Sequence, residues 1–122
     1  MIQSKLIAPP YLQFFISDLL GAEGPVQGPE TLRIISNGVA ISVPCQYGEE
    51  GETELIVGSA SEVPQLNVQM FDGIIPTPNG ALLFSDAELT TIMTYPAKES
   101  RTRIRIWTDG STLPDKVVVG ID

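Results

Sequence analysis

Arg101, Arg103 and Arg105 stand at every second position, with Thr102, Ile104 and Ile106 between them and Trp107 next in line. Guanidinium groups can grip carboxylates or phosphates through two parallel hydrogen bonds, so this run is a candidate anion- or partner-binding face. The blander alternative is cross-strand pairing of these cations with carboxylates such as Glu52 and Glu54, on a strand whose charge also discourages edge-to-edge association. With Lys98 the run holds four of the seven basic residues in a chain of 15 Asp plus Glu and net charge −8.

A second charged cluster, Glu49, Glu50, Glu52 and Glu54, surrounds Gly48 and Gly51. It reads as a solvated hairpin tip or as an acidic finger that meets a basic partner. Consecutive glutamates without Asp-x-Asp spacing make a poor calcium loop. Asp72, Asp86, Asp109 and Asp115 sit beside turn residues and read as turn formers, with an interstrand calcium site at one end of the domain as the alternative.

Much chemistry is excluded by what is missing. The chain has no histidine, which removes the commonest general base, the Ser-His and Cys-His nucleophile pairs and the commonest zinc ligand. Its one cysteine, Cys45, beside Pro44 at the end of an apolar run, reads as a small packed thiol, because no cation stands near it in sequence to lower its pKa. Neither Gly-x-Gly-x-x-Gly nor Gly-x-x-x-x-Gly-Lys-[Ser/Thr] occurs. A carboxylate-only mechanism such as glycoside hydrolysis needs a sugar-sized cleft that so small a domain rarely provides. The expectation is therefore no enzyme, no metal and no cofactor.

The acidic balance argues against nucleic-acid binding, which needs clustered Lys and Arg. No stretch approaches the ~18 uncharged apolar residues of a membrane span, and Pro9, Pro10 and Asp18 interrupt any signal-peptide core. A lone cysteine demands no oxidising compartment. A soluble cytoplasmic protein, monomer or homodimer, is expected.

Those residues must be positioned by short elements. Eleven glycines and ten prolines are spread along 122 residues, and 43% hydrophobic content suffices for one packed domain over 1–122. Leu12-Gln-Phe-Phe-Ile-Ser17 reads as the first strand, and residues 21–29 as a breaker-dense loop. Residues 31–35 and 39–43 flank Ser36-Asn37-Gly38, the strongest hairpin signal in the chain. Strands are expected over 53–57, 66–71, 81–84 and 117–120, with turns at Asp72-Gly73, Pro76-Thr-Pro-Asn79-Gly80 and Asp109-Gly110. Residues 86–93 fit either a short helix N-capped by Asp86 or a β-branched strand, with the strand favoured.

Seven to nine short strands at this spacing predict an all-β fold, an antiparallel two-sheet β-sandwich with at most one short helix. Period-2 alternation buries Ile104 and Ile106 and exposes Arg103. By parity Trp107 shares the arginine side. It is then either a core anchor or, stacked on Arg105, an exposed cation–π patch.

Several ordered pieces resemble a known family: Tyr11-Leu-Gln-Phe14, Gly38-Val-Ala-Ile-Ser42, the central Asp72-Gly73, and Tyr95-Pro96 before a strand closing on Trp107-Thr108. Over residues 11–108 the chain resembles the competence protein J family, small acidic cytoplasmic inhibitors of a DNA-entry nuclease. It departs from that family's Leu-Pro-x-Gly turn, having Tyr95-Pro-Ala-Lys-Glu-Ser100 instead, and no residue role is carried over. The resemblance implies an acidic β-domain that plugs a basic nuclease or toxin.

The leading expectation is a non-catalytic interaction module, an inhibitor or immunity-type partner of a basic protein. Its candidate surface comprises Arg101, Arg103, Arg105, Trp107, Glu49, Glu50 and Glu52. The alternatives are a carbohydrate- or small-ligand-binding sandwich, with Trp107, Tyr95 and Tyr47 as stacking faces, and a structural subunit of a homo-oligomer.

Overall fold

A computed structural model describes residues 2–20, 34–36, 38–46, 51–66 and 68–122. Among them ten strands occur: β1 (Ile2–Ile7), β2 (Gln13–Asp18), β3 (Ile35–Ser36), β4 (Ala40–Pro44), β5 (Thr53–Ser59), β6 (Val68–Pro76), β7 (Ala81–Asp86), β8 (Thr91–Pro96), β9 (Arg101–Thr108) and β10 (Lys116–Ile121). They form two five-stranded sheets, ordered β1-β5-β10-β9-β6 and β3-β4-β2-β7-β8. The sole helical piece among the described residues is a 3-10 turn at Pro10–Leu12. The fold is an all-β sandwich.

Alternation builds the core. Phe14 and Ile16 on β2, Leu82 and Phe84 on β7, Ile104 and Ile106 on β9, and Val117 and Val119 on β10 are all fully buried between the sheets. Each such side chain contributes about 1.5–3 kcal/mol through burial. Phe14 and Phe84 stack with ring centroids 6.4 Å apart, and either one replaced by alanine would cost about 3–5 kcal/mol.

The sheets are not purely antiparallel, as the sequence had suggested: β10 runs parallel to β5 at the middle of the first sheet. Its Val117-Val118-Val119 run is buried on both faces, the continuous apolar pattern that a doubly covered strand requires. The first strand is β1, which lies ahead of the expected one. It carries Gln3, Ser4 and Lys5 and buries little, so no apolar period marks it. It holds by pairing with β5, and its polar side chains reach the other sheet. Gln3 Nε2 and Lys5 Nζ donate to the Thr94 and Ile92 carbonyls, each at 3.2 Å.

Asp72-Gly73 is no turn. It lies within β6, opposite Arg105 and Ile104. A bulge between Gln69 and Phe71 inserts one residue and resets the parity, so Ile75 is buried and Asp72 faces outward with the arginines. The Phe71 ring lies over Gly73, where a β-carbon would meet its Cζ at 2.7 Å and force the ring to shift. Residues 86–93 are a turn and the start of β8 and contain no helix. The Asp86 carboxylate accepts from Glu88 N and Thr90 N, both at 2.9 Å, and binds the turn instead of capping a helix. β3 and β4 do form a hairpin, but with Ser36 opposite Ile41, so four residues lie between this pair in place of a tight Asn-Gly turn. Its Asn37, and residues 31–33 of the preceding run, lie outside the described residues.

Candidate functional site

The outer face of β9 is where the guanidinium groups point. Arg101 and Arg103 are exposed, Arg105 is half-buried, and Ile104 and Ile106 are inward, as the alternation predicts. Arg103 grips Asp72 side-on, Nε to Oδ1 at 2.8 Å and Nη2 to Oδ2 at 2.6 Å. Its other terminal nitrogen lies 3.7 Å from Asp122. Arg105 donates from Nη2 to both Asp122 oxygens, at 2.8 and 2.7 Å. The hydrogen bonds and charge of Arg103 hold the Asp72 carboxyl below the usual aspartate range.

Ion pairing across strands is thus present, with different partners from those the sequence suggested. Glu54 binds Lys116 at 3.4 Å, and the arginines take Asp72 and Asp122. Parity explains the change, because the bulge turns Asp72 onto this face and Asp122 directly follows β10, the strand next to β9. Two of the three guanidiniums are neutralised internally. Arg101 has no ion pair among the described residues, and the buried Arg105 Nε has no hydrogen-bond partner.

Trp107 shares the arginine side, but it is not a surface patch. Only 4% exposed, it joins Val63 and Val118 in a second small core, with Ile56 and Leu66 packed against it. The segment that follows β5 produces this burial by folding back over the sheet, where Ala60 N donates to the Ile121 carbonyl at 3.0 Å. Tyr95 is buried as well, so neither ring offers an open stacking face. Tyr47, Glu49 and Glu50 lie outside the described residues.

Beside Arg105, at the end of the sandwich where β5, β8 and β10 finish, there is a cleft of about 640 Å³ lined by Ser59, Glu62, Tyr95, Lys98, Arg105 and Asp122. Its cations and carboxylates balance.

The opposite end gathers the other charged cluster. Loops from both sheets meet there. Cys45 N donates to the Leu12 carbonyl at 2.9 Å, and Gln46 Nε2 to that of Leu113 at 3.1 Å. Thr53 Oγ1 accepts from Gln46 N at 2.8 Å and donates to the Pro114 carbonyl at 2.7 Å. This stitching places Glu52, Glu54, Glu88, Asp109 and Asp115 around one end, against Lys5 and Lys116. Glu52, Glu88, Asp109 and Asp115 are exposed. The glutamates near position 50 were visible in the sequence. Their company of Glu88, Asp109 and Asp115 was not, because only the strand order brings those turns together.

Of the four aspartates read as turn formers, Asp86 and Asp109 hold turns through their carboxylates, whereas Asp72 lies within β6 and pairs with Arg103. Ser111 donates to Asp109 from its backbone N at 2.9 Å and from its hydroxyl. The Asp115 carbonyl accepts from Glu54 N at 2.8 Å. Among the described residues no group of three or more Cys, Asp or Glu side chains could hold a metal ion, and no helix is long and apolar enough to cross a membrane. Cys45 is fully buried, and burial pushes its thiol pKa up to about 12, as befits a packed side chain.

No protein-family model and no curated protein sequence matches this chain. Its fold is similar to two solved structures. One is the crystal structure of ComJ, inhibitor of the DNA degrading activity of NucA, from Bacillus subtilis. The TM-score is 0.67 at 11% identity, covering 99% of this chain and 97% of that one. The other, described as crocagin biosynthetic gene J, gives 0.57 at 11% identity, covering 99% and 96%. At this identity the likeness is one of fold.

Proposed function

We propose that this chain is a non-catalytic acidic module that binds a basic protein of the nuclease or toxin class. The observation that carries the reading is the segregation of charge. Arg103 and Arg105 are bound by Asp72 and Asp122, whereas among the described residues the loop end carries four exposed carboxylates against Lys5 and Lys116. The fold shared with an inhibitor of a DNA-degrading activity supports it. So does a composition without histidine, which leaves few routes to a proton-transfer site working near neutrality. The reading places Glu52 in the binding surface, with Glu49 and Glu50 adjacent in sequence, and moves the contact away from Arg101, Arg103, Arg105 and Trp107.

Carboxylates on a rim chiefly accelerate association, and ionic strength screens them within a Debye length of about 8–10 Å. Titration calorimetry against cationic non-specific nucleases, at low and high salt, tests the reading. Saturable binding that weakens steeply with salt, and that is lost on reversing Glu52, Glu88 and Asp115 to lysine, is the expected result. No binding to any cationic nuclease at low salt, or binding abolished only by Arg103→Ala, overturns it.

The cleft beside Arg105 favours a second reading, a small-ligand site, since its volume suits a drug-sized molecule. A thermal-shift screen with sugars and small anions tests that reading, and no shift with any of them retires it.

A further inference from the structure

Among the described residues three other than glycine have positive φ: Tyr11 at 65°, Leu12 at 61° and Leu89 at 65°. All three lie in the loops of the acidic end. Leu89 is the third of the four residues, 87–90, that join β7 to β8. Its N–H donates to the Asp86 carbonyl at 3.1 Å, and Asp86 N donates to the Thr90 carbonyl at 3.0 Å. The left-handed position of such a connection suits glycine, because a β-carbon crowds the backbone there. A leucine at 89 therefore costs stability relative to glycine, and burial recovers none of it: Leu89 is 87% exposed. Tyr11 is 61% exposed on the same kind of backbone.

The two loops share one end of the same sheet. β2 and β7 are neighbouring strands that pair with Phe14 opposite Asp86, so the loop entering β2 and the turn leaving β7 lie at the same end of adjacent strands. Glu88 adjoins Leu89 in sequence, and Glu52, Asp109 and Asp115 lie at the same end, against Lys5 and Lys116. Leu20, 80% exposed, lies beyond the far end of β2, and Leu6, 62% exposed, lies on the edge strand β1; neither has a positive φ.

We infer that Tyr11 and Leu89 are the apolar anchors of the docking surface, and that the partner is a cationic protein presenting an apolar recess ringed by lysine and arginine. The inference rests on the proposed basic-partner function and adds the place and manner of contact. Protein interfaces concentrate their energy in a few such anchors, while charged residues around them set orientation and rate. Carboxylates at the same end as the tyrosine and the leucine disfavour an acidic partner and leave the apolar contact to hold a basic one.

The test uses the isotope-labelled full chain and two short peptides of equal length and charge, one alternating arginine with leucine and one arginine with serine. Amide shifts should appear at residues 11–13 and 86–90, and the leucine peptide should bind about tenfold tighter. Leu89→Gly and Tyr11→Gly should each remove about that factor while the melting temperature holds or rises, since glycine adopts φ near 65° without strain. Equal binding of both peptides at the loop end, indifferent to the two glycine variants, overturns the anchors and leaves the basic-partner reading standing. If neither peptide binds there at low salt, both fall.

Discussion

Trp107 occupies the space that any side chain at Gly120 would need. A β-carbon on Gly120 would lie 2.9 Å from Trp107 Cζ3 and 3.0 Å from Ala60 Cα. Gly120 is thus the floor of the small outer core, and the segment after β5 is its roof. The Ala60 backbone cannot yield as the end of a flexible side chain can. Gly120→Ala is expected to cost about 1–3 kcal/mol by overpacking. Chemical denaturation, with Trp107 fluorescence as the probe, checks this, and an unchanged midpoint would contradict it.

Much of that architecture was legible in the chain. The Arg-x-Arg-x-Arg alternation placed Ile104 and Ile106 inside and Arg103 outside, because a strand has only two sides. The roof over Trp107 was not legible. Parity says which side a residue occupies and nothing about what folds back onto that side, and Val63 and Leu66 carry no local mark of their partner. The turn expected at Asp72-Gly73 failed for a related reason, since a bulge adds one residue and inverts parity without a composition signal. Asp122 as the partner of Arg105 depends on β10 lying beside β9, which is a matter of strand order.

Asp18 ties β2 to the turn before β7. Its carboxylate accepts from Asn79 N at 3.0 Å, Asn79 Nδ2 at 2.5 Å and Leu20 N at 3.3 Å. Burial alone would raise its pKa, but these donors outweigh burial and hold it below the ordinary aspartate value of 3.8. A carboxyl depressed in the folded state stabilises above its unfolded pKa, and that contribution is lost as pH falls through the folded value. Asp18→Ala removes these hydrogen bonds while leaving the exposed Asn79 donors to water, and should cost about 1 kcal/mol at neutral pH. In acid the gap between variant and wild type should close. A gap that persists well below the native carboxyl's titration would show that the anion is not what holds the turn.

Cys45 makes the opposite prediction. Burial raises its thiol from an ordinary 9.0 to about 12, so the unfolded chain releases this proton first as pH rises. The stability it contributes is complete below about pH 9 and is lost through the alkaline range above it. A disulfide-exchange reagent at mildly alkaline pH should leave the native chain untouched and titrate its single thiol once denaturant is added. Fast native-state reaction would place Cys45 on the surface and contradict the packing.

Arg103 and Asp72 supply the last test, which separates an internally satisfied face from an open one. A guanidinium already holding a carboxylate side-on has little left to offer a partner's anion. Most of such a pair's strength is screened where both groups meet solvent, so its loss should disturb stability little. The Asp72 carboxyl itself should respond clearly. In a carbon-detected titration it should protonate below the usual aspartate range, and Arg103→Met should move it upward, because the side-on hydrogen bonds and the adjacent charge of Arg103 are what depress it. Added salt should narrow the difference. A carboxyl titrating at its ordinary value in the wild-type protein would mean that the pair is open in solution, and Arg103 would return to the candidate binding surface.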